Sequence, residues 1–257
     1  MEEQTVEALI GRCFRAELLL PLAAARALYA GLPEKSPGLA GSTTRKGAYP
    51  DEVAAVMANV RDHFRPSGFS MSPDSLTTLI ELVKAAGWTR VLEFGAGVST
   101  FALPALVPQP LRYLSIEEDA GYAASIRAGL AVGGEKYGDV DIAQLDPGTS
   151  KIKVSLVGGK TIRAVRFEKL AETVRDAFGA HPPQIVIIDG PSSRMRWGRY
   201  AALIDLLDLL PKGTVVLLDD ALRHREVNIL NAWSNHPRID VRGIYCLGTG
   251  TGISILK

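Results

Sequence analysis

The run Val91-Leu92-Glu93-Phe94-Gly95-Ala96-Gly97-Val98-Ser99-Thr100 constrains this chain more than any other. Its apolar front reads as a buried strand that stops abruptly in glycines, after which the pattern turns helical. Gly95 and Gly97 accept positive φ and carry no Cβ, so a ligand's polar head can approach the bend closely. The amides around Ser99 and Thr100, at the helix start, are free donors. About twenty residues on, the spacing seen in nucleotide-binding folds, a second apolar run ends in acids: Tyr113-Leu114-Ser115-Ile116-Glu117-Glu118. A carboxylate at that strand end can accept from both hydroxyls of a ribose. Gly95, Ala96, Gly97, Ser99, Thr100, Glu117 and Glu118 are therefore candidate contacts for a nucleoside-bearing ligand. A dinucleotide fingerprint would place a third glycine where Thr100 stands, which argues against a dehydrogenase.

Around this bend the chain alternates strand-like and helical patterns, the signature of a doubly wound α/β sheet, mostly parallel and covered on both faces. Strands are expected near 90–94, 111–117, 139–145, 184–189 and 213–219. Pro104 falls inside the helix expected after Gly97, so that helix starts late, is short, or bends. Residues 151–167 alternate with period two about Gly158-Gly159 and predict a β-hairpin insertion outside the main sheet. Val241 to Cys246 and Gly252 to Leu256 predict a closing antiparallel hairpin. Ser72-Pro73 caps a helix that buries Leu76, Leu79, Ile80 and Val83 and stops at Gly87. Before it, Val53, Val56, Met57 and Val60 recur at helical spacing behind Pro50. Residues 34–50 are crowded with breakers and read as a loop. The organisation expected is a helical N-terminal extension, 1–70, and a ligand-binding domain, 71–257.

With 29 basic against 28 acidic residues, the net charge of +1 supplies no general drive toward nucleic acid or anionic membrane. Ala16 to Leu32 is rich in Leu and Ala, but Glu17, Pro21 and Arg26 interrupt it well short of the ~20 apolar residues a bilayer span needs. It reads as a helix packed on the domain or on a second subunit, which would make a homo-oligomer through the N-terminal helices. Glu2 and Glu3 replace the basic start of an export signal, and Cys13 and Cys246 match no metal spacing; both point to a cytoplasmic protein with reduced thiols.

In an open α/β sheet the ligand lies outside the carboxyl ends of the strands. Two of those ends carry acids: Ile187-Ile188-Asp189-Gly190-Pro191 and Leu217-Leu218-Asp219-Asp220. Asp189, Asp219 and Asp220 offer hard oxygen ligands suited to Mg²⁺ or another divalent cation. The bland alternative is that Asp189 only faces a bound ligand and the Asp pair caps a helix. His224 follows closely enough to act as a base, or it is simply solvated. Asp146, in Asp-Pro-Gly, either faces an adenine amine or makes a plain turn. Arg194, Arg196, Trp197, Arg199 and Tyr200 form a basic and aromatic group that suits an anionic acceptor, or else opens a helix. Glu93 either orients a ligand's amino group or hydrogen-bonds the glycine turn.

Taken together, Glu93-Phe94-Gly95-x-Gly97-x-Ser99-Thr100 and the acid at Glu117 resemble the class I S-adenosylmethionine-dependent methyltransferases, over Ser72 to Lys257. The three aspartates are similar to the metal triad of cation-dependent O-methyltransferases, including catechol-type, macrocin and aminocoumarin sugar enzymes. Asp189-Gly-Pro with Asp220-Ala-Leu-Arg223-His224-Arg225-Glu226 resembles the glucuronoxylan group. The resemblance implies S-adenosylmethionine as cofactor, bound by Glu93, the glycine turn, Glu117, Glu118, Asp146 and Asp189. It implies methylation of a hydroxyl on a small molecule or saccharide. A cation at Asp189, Asp219 and Asp220 would acidify that hydroxyl, or Asp189, Asp220 or His224 would take its proton as catalytic base. A non-catalytic cofactor-binding scaffold and an aminopropyl transferase of the same fold are the alternatives. Gly-Pro-Ser after Asp189 speaks against nucleic-acid methylation.

Overall fold

The computed structural model describes residues 3–14, 16–29, 48–66, 70–155, 161–192, 195 and 197–257. In chain order the elements are α1 (Glu3–Cys13), β1 (Leu19–Leu20), α2 (Leu22–Tyr29), α3 (Asp51–Val60), α4 (Pro73–Ala86), β2 (Arg90–Phe94), α5 (Val98–Leu106), β3 (Arg112–Glu117) and α6 (Ala120–Gly133). They continue as β4 (Val140–Gln144), β5 (Pro147–Ser155), β6 (Thr161–Phe167), α7 (Leu170–Phe178), β7 (Ile185–Ile188), α8 (Gly198–Ile204), β8 (Val215–Asp219), α9 (His224–Ser234), β9 (Ile239–Tyr245) and β10 (Thr251–Leu256). Eight strands form one sheet in the order β1-β9-β10-β8-β7-β2-β3-β4. β8, β7, β2, β3 and β4 run parallel, and β10, β9 and β1 add antiparallel pairs at one side. This is the doubly wound, mostly parallel sheet the alternating pattern predicts.

Period two assigns the core. Val91, Tyr113, Ile185, Ile187, Val215, Leu217, Ile253 and Ile255 point to one face, where they meet side chains of α1, α3, α4, α5 and α6. Leu92, Phe94, Leu114, Ile116, Val186, Ile188, Val216 and Leu218 point to the other, against α2, α7, α8 and α9. Both faces being covered is why these strands read as unbroken apolar runs. Helix α4 is built as its sequence predicts: Ser72 Oγ accepts from the Ser75 amide at 3.2 Å, Pro73 opens the helix, and Gly87 ends it at φ +61°. Of the outcomes open to the helix after Gly97, the short one holds: α5 has nine residues and Pro104 lies in its last turn. Helix α3 buries Val53, Val56, Met57 and Val60, the predicted stripe.

β5 and β6 form a separate two-stranded sheet, as expected, though it opens earlier, at Pro147. Its turn, with Gly158 and Gly159, lies outside the described residues, as do residues 34–47 of the predicted loop. The segment expected as one helix from Ala16 differs. Ala16–Leu18 is a single 3-10 turn, and Leu19 and Leu20 pair with Tyr245 and Ile244 at the sheet edge. Helix α2 begins only after Pro21, whose carbonyl accepts from the Ala25 amide at 3.0 Å. Pro21 has no amide to donate to a preceding turn, so the helical pattern breaks there and local strand pairing takes over. The apolar stripe of α1 is spent inside the chain, with Val6, Leu9 and Ile10 buried.

Candidate functional site

Strand β2 sits between β7 and β3, and its end is where the chain bends. Gly95 stands at φ +88°, and its amide donates to the Ile116 carbonyl at 2.8 Å. A Cβ on Gly95 would lie 2.6 Å from the Gly190 nitrogen, and one on Gly190 would lie 2.6 Å from the Gly95 Cα. The two glycines therefore require each other, and only backbone fits between the ends of β2 and β7. Gly97 is different: a Cβ there would meet nothing within 4 Å, so the start of α5 faces open space. Its amide donates to Thr100 Oγ1 at 2.8 Å.

Beneath the turn lies Glu93, fully buried. Its carboxylate accepts from the hydroxyls of Ser99, Thr100 (2.6 Å) and Ser115 (2.8 Å). Burial pushes its pKa up, and the hydroxyls oppose that rise. These bonds tie the end of β2 to the start of α5 and to β3. Glu117 accepts from the amides of Ala96 (3.1 Å) and Asp119 (2.9 Å), so it closes the turn from the far side. Burial lifts its pKa to about 7. Glu118 accepts from the Ser192 amide at 2.7 Å and so links the segments after β3 and β7 across the end of β2. Asp146 is exposed at the end of β4 and accepts from Gln144 Nε2 at 2.8 Å.

Asp189, Asp219 and Asp220 come together, with one carboxylate oxygen of each within 4.8 Å of the others. The strand alternation that would send successive side chains to opposite faces is broken by Asp220, which stands in the left-handed region at φ +59°. Aspartate tolerates that conformation better than most residues. Behind the triad lies Arg199, 9% exposed, with its guanidinium 3.7 Å from Asp189 Oδ1, 3.4 Å from Asp220 Oδ2 and 3.7 Å from Glu226 Oε1. Arg223 reaches Asp220 Oδ2 at 2.6 Å. Burial works against the Arg199 charge, but Glu226, Asp220 and Asp189 outweigh it and raise its pKa. Burial and the neighbouring Asp220 charge lift Asp219 to about 7; burial and the Asp219 charge hold Asp189 well above the carboxylate range.

Oδ1 of Asp219 is buried and has no hydrogen-bond partner among the described residues. An orphaned carboxylate oxygen of this kind costs free energy unless something outside the chain occupies it. With all of them ionised, the four carboxylates of Asp189, Asp219, Asp220 and Glu226 would outnumber the two guanidinium groups among the described residues by two charges, a repulsion that raises the pKa of Asp189 and Asp219 and that a cation would relieve. Orphaned oxygen, hard donors and surplus charge all fit a divalent cation.

The structure does not bring His224 to this group. As the first residue of α9, its ring lies 5.4 Å from that of Tyr29, tilted by 49°. Arg194 and Arg196 lie outside the described residues. Sequence reading missed Gly190, Glu226, Tyr49 and Tyr122. Tyr49 donates to the Met71 carbonyl at 2.7 Å, and its pKa is pushed up to about 12 by burial and by the charges of Asp189 and Asp219. The Tyr122 pKa is raised by burial and by the charge of Glu117, and its amide donates to Asp119 Oδ1 at 2.8 Å just past β3. Neither tyrosine lies in a motif, and only Gly190 and Glu226 had a local signal, in Asp-Gly-Pro and in the run after Asp220.

Solved structures align with the fold of this chain along most of their length. The SAH-bound methyltransferase PaMTH1 of Podospora anserina superposes with a TM-score of 0.57 at 14% identity, over 83% of this chain and 91% of that one. The fold is methyltransferase-like. An O-methyltransferase from Bacillus cereus in complex with SAH gives 0.52 at 14% identity, over 91% of this chain and 97% of its own. TomG from Streptomyces achromogenes, an O-methyltransferase of tomaymycin synthesis in complex with SAM, gives 0.50 at 16%, over 84% and 94%. No protein-family model and no curated protein sequence matches the chain. Among the described residues no helix is long and apolar enough to cross a membrane.

Proposed function

We propose that this chain is an S-adenosylmethionine-dependent O-methyltransferase acting on a hydroxyl of a small molecule or saccharide, with a divalent cation at Asp189, Asp219 and Asp220. The observation that carries the reading is the convergence of three aspartates, two of them buried and one of those with an orphaned oxygen, on strand ends beside the Gly95–Gly97 turn. The cofactor, when bound, supplies a methyl group on an activated sulfonium leaving group. What remains for the protein is alignment, exclusion of water and management of one proton. The open space at Gly97 admits the ligand's polar end to the uncapped start of α5. Glu117 retains acceptor capacity for ribose hydroxyls beyond its two amide bonds. The aspartates face the position of the acceptor hydroxyl, where a cation would lower its pKa.

A metal-free variant of the same reading has its own support. Asp219, with a free oxygen and a pKa near 7, is matched to general-base work. Asp220 is less suited, because Arg199 and Arg223 already occupy its Oδ2. The saccharide preference rests on the resemblance to the glucuronoxylan group, whose matching run supplies Arg223 and Glu226 to the acidic cluster. The test is calorimetry with S-adenosylhomocysteine, followed by turnover of methyl-labelled donor with a panel of hydroxyl acceptors, with and without chelator. Heat on binding with chelator-sensitive turnover is expected, and Asp219→Asn should lower turnover about 100-fold or more. Absence of heat overturns the cofactor reading. Heat without turnover on any acceptor favours a non-catalytic scaffold.

A further inference from the structure

Arg199 does more than balance charge. Its guanidinium donates to the backbone carbonyl of Asp189 at the end of β7 and, at 3.1 Å, to the carbonyl of Asp219 at the end of β8. The same fork lies 3.4 Å from Asp220 Oδ2, and its Nε points to the Pro191 carbonyl at 3.4 Å. Glu226, on the first turn of α9, holds it from behind at 3.7 Å. One planar group thus ties together the two strand ends that carry the triad, at carbonyls lying beyond the last residues paired between β7 and β8, Ile188 and Leu218. Asp189 is bonded to β2, its amide donating to the Phe94 carbonyl at 3.0 Å, and Asp219 pairs with Thr251 of β10, but past that point no pairing runs from β7 directly across the gap to β8. The fork spans it instead.

We propose that Arg199 is the positioning residue of the acidic site. Its fork sets the spacing between Asp189 and the Asp219–Asp220 pair, and through it the affinity of the site for a divalent cation. This rests on the metal reading above. A rival account makes Arg199 a point counter-charge, which lysine would supply equally well. Lysine keeps the charge but has no planar array of donors to reach two carbonyls and a carboxylate at once. The Arg199→Lys substitution therefore separates geometry from charge.

The experiment is Mn²⁺ binding to the purified full chain, read from the paramagnetic resonance signal of free Mn²⁺, with S-adenosylhomocysteine affinity measured on the same samples. The expected result is that Arg199→Lys weakens Mn²⁺ binding by about ten-fold or more, the range for groups that orient metal ligands, while S-adenosylhomocysteine affinity stays unchanged. Equal or tighter Mn²⁺ binding by the lysine variant overturns the inference and leaves the metal reading standing. A wild-type chain that binds S-adenosylhomocysteine but no Mn²⁺ overturns both. Should the lysine variant fail to fold, Glu226→Asp keeps the charge and withdraws the anchor behind the fork. It is expected to weaken Mn²⁺ by a smaller factor, and wild-type affinity there counts against the proposal.

Discussion

Two glutamates of the turn, twenty-four positions apart, are buried to similar degrees and do different work. Glu93 takes three hydroxyls in a fully buried position, so its loss should register in stability. Glu93→Ala is expected to cost about 3 kcal/mol or more in urea unfolding, since hydrogen bonds to a charged acceptor are worth roughly 1.5–3 kcal/mol each. Glu93→Gln should cost less and leave S-adenosylhomocysteine affinity nearly intact; a large affinity loss with unchanged stability would assign Glu93 to the ligand instead. For Glu117 the useful variable is pH. Ribose hydroxyls need the ionised form, and a carboxyl at about 7 is mostly protonated at pH 6. Affinity for S-adenosylhomocysteine should therefore rise by about ten-fold from pH 6 to pH 8 and flatten above, and Glu117→Gln should abolish the slope. In the ligand-free protein the same raised pKa works in the other direction. Its contribution to stability is full below the ordinary carboxylate range and is lost as pH rises through 7.

At the scale of elements, the ends of β2 and β7 meet through two glycines with no room between them. Gly190→Ala would place a methyl group 2.6 Å from the Gly95 Cα, and one strand end must move. Overpacking of this kind costs roughly 1–3 kcal/mol, and the displacement falls on the turn that the cofactor is proposed to use. Thermal melting should drop, and S-adenosylhomocysteine affinity should fall with it; an unchanged affinity would detach the turn from cofactor binding. The element readings succeeded where a local rule suffices: the cap and stop of α4, the stripe of α3, the hairpin of β5 and β6. They failed at Ala16 to Leu32, where a leucine-rich helical composition yields to Pro21 and to the pairing partner offered by β9.

Across the whole molecule, the N-terminal segments close both faces of the sheet. Val6, Leu9, Ile10 and Phe14 join one core, and Ala25 and Tyr29 join the other. Full burial of one large apolar side chain is worth about 1.5–3 kcal/mol, so removing residues 1–20 takes away an amount comparable to the ~5–15 kcal/mol net stability of a typical domain. A chain beginning at Pro21 is therefore expected to melt far below the intact protein or to aggregate on purification. Unchanged melting would mark the segment as a detachable appendage.

The alternation of apolar runs, the glycine bend after β2 and the acids at strand ends were decided by the sequence, because period, propensity and φ preference act over a few neighbouring residues. The resemblance carried by the same short runs named a cofactor class that the fold is compatible with. What those acids touch was decided by tertiary structure. Ser99 and Thr100 reach Glu93 only once α5 folds back over β2, and Gly190 meets Gly95 only across a crossover of nearly a hundred residues. Arg199 and Glu226 come from different helices, and a fork that bonds two strand ends has no signature in either. Contacts made across the sheet depend on how distant segments are brought together, and no local pattern carries that information.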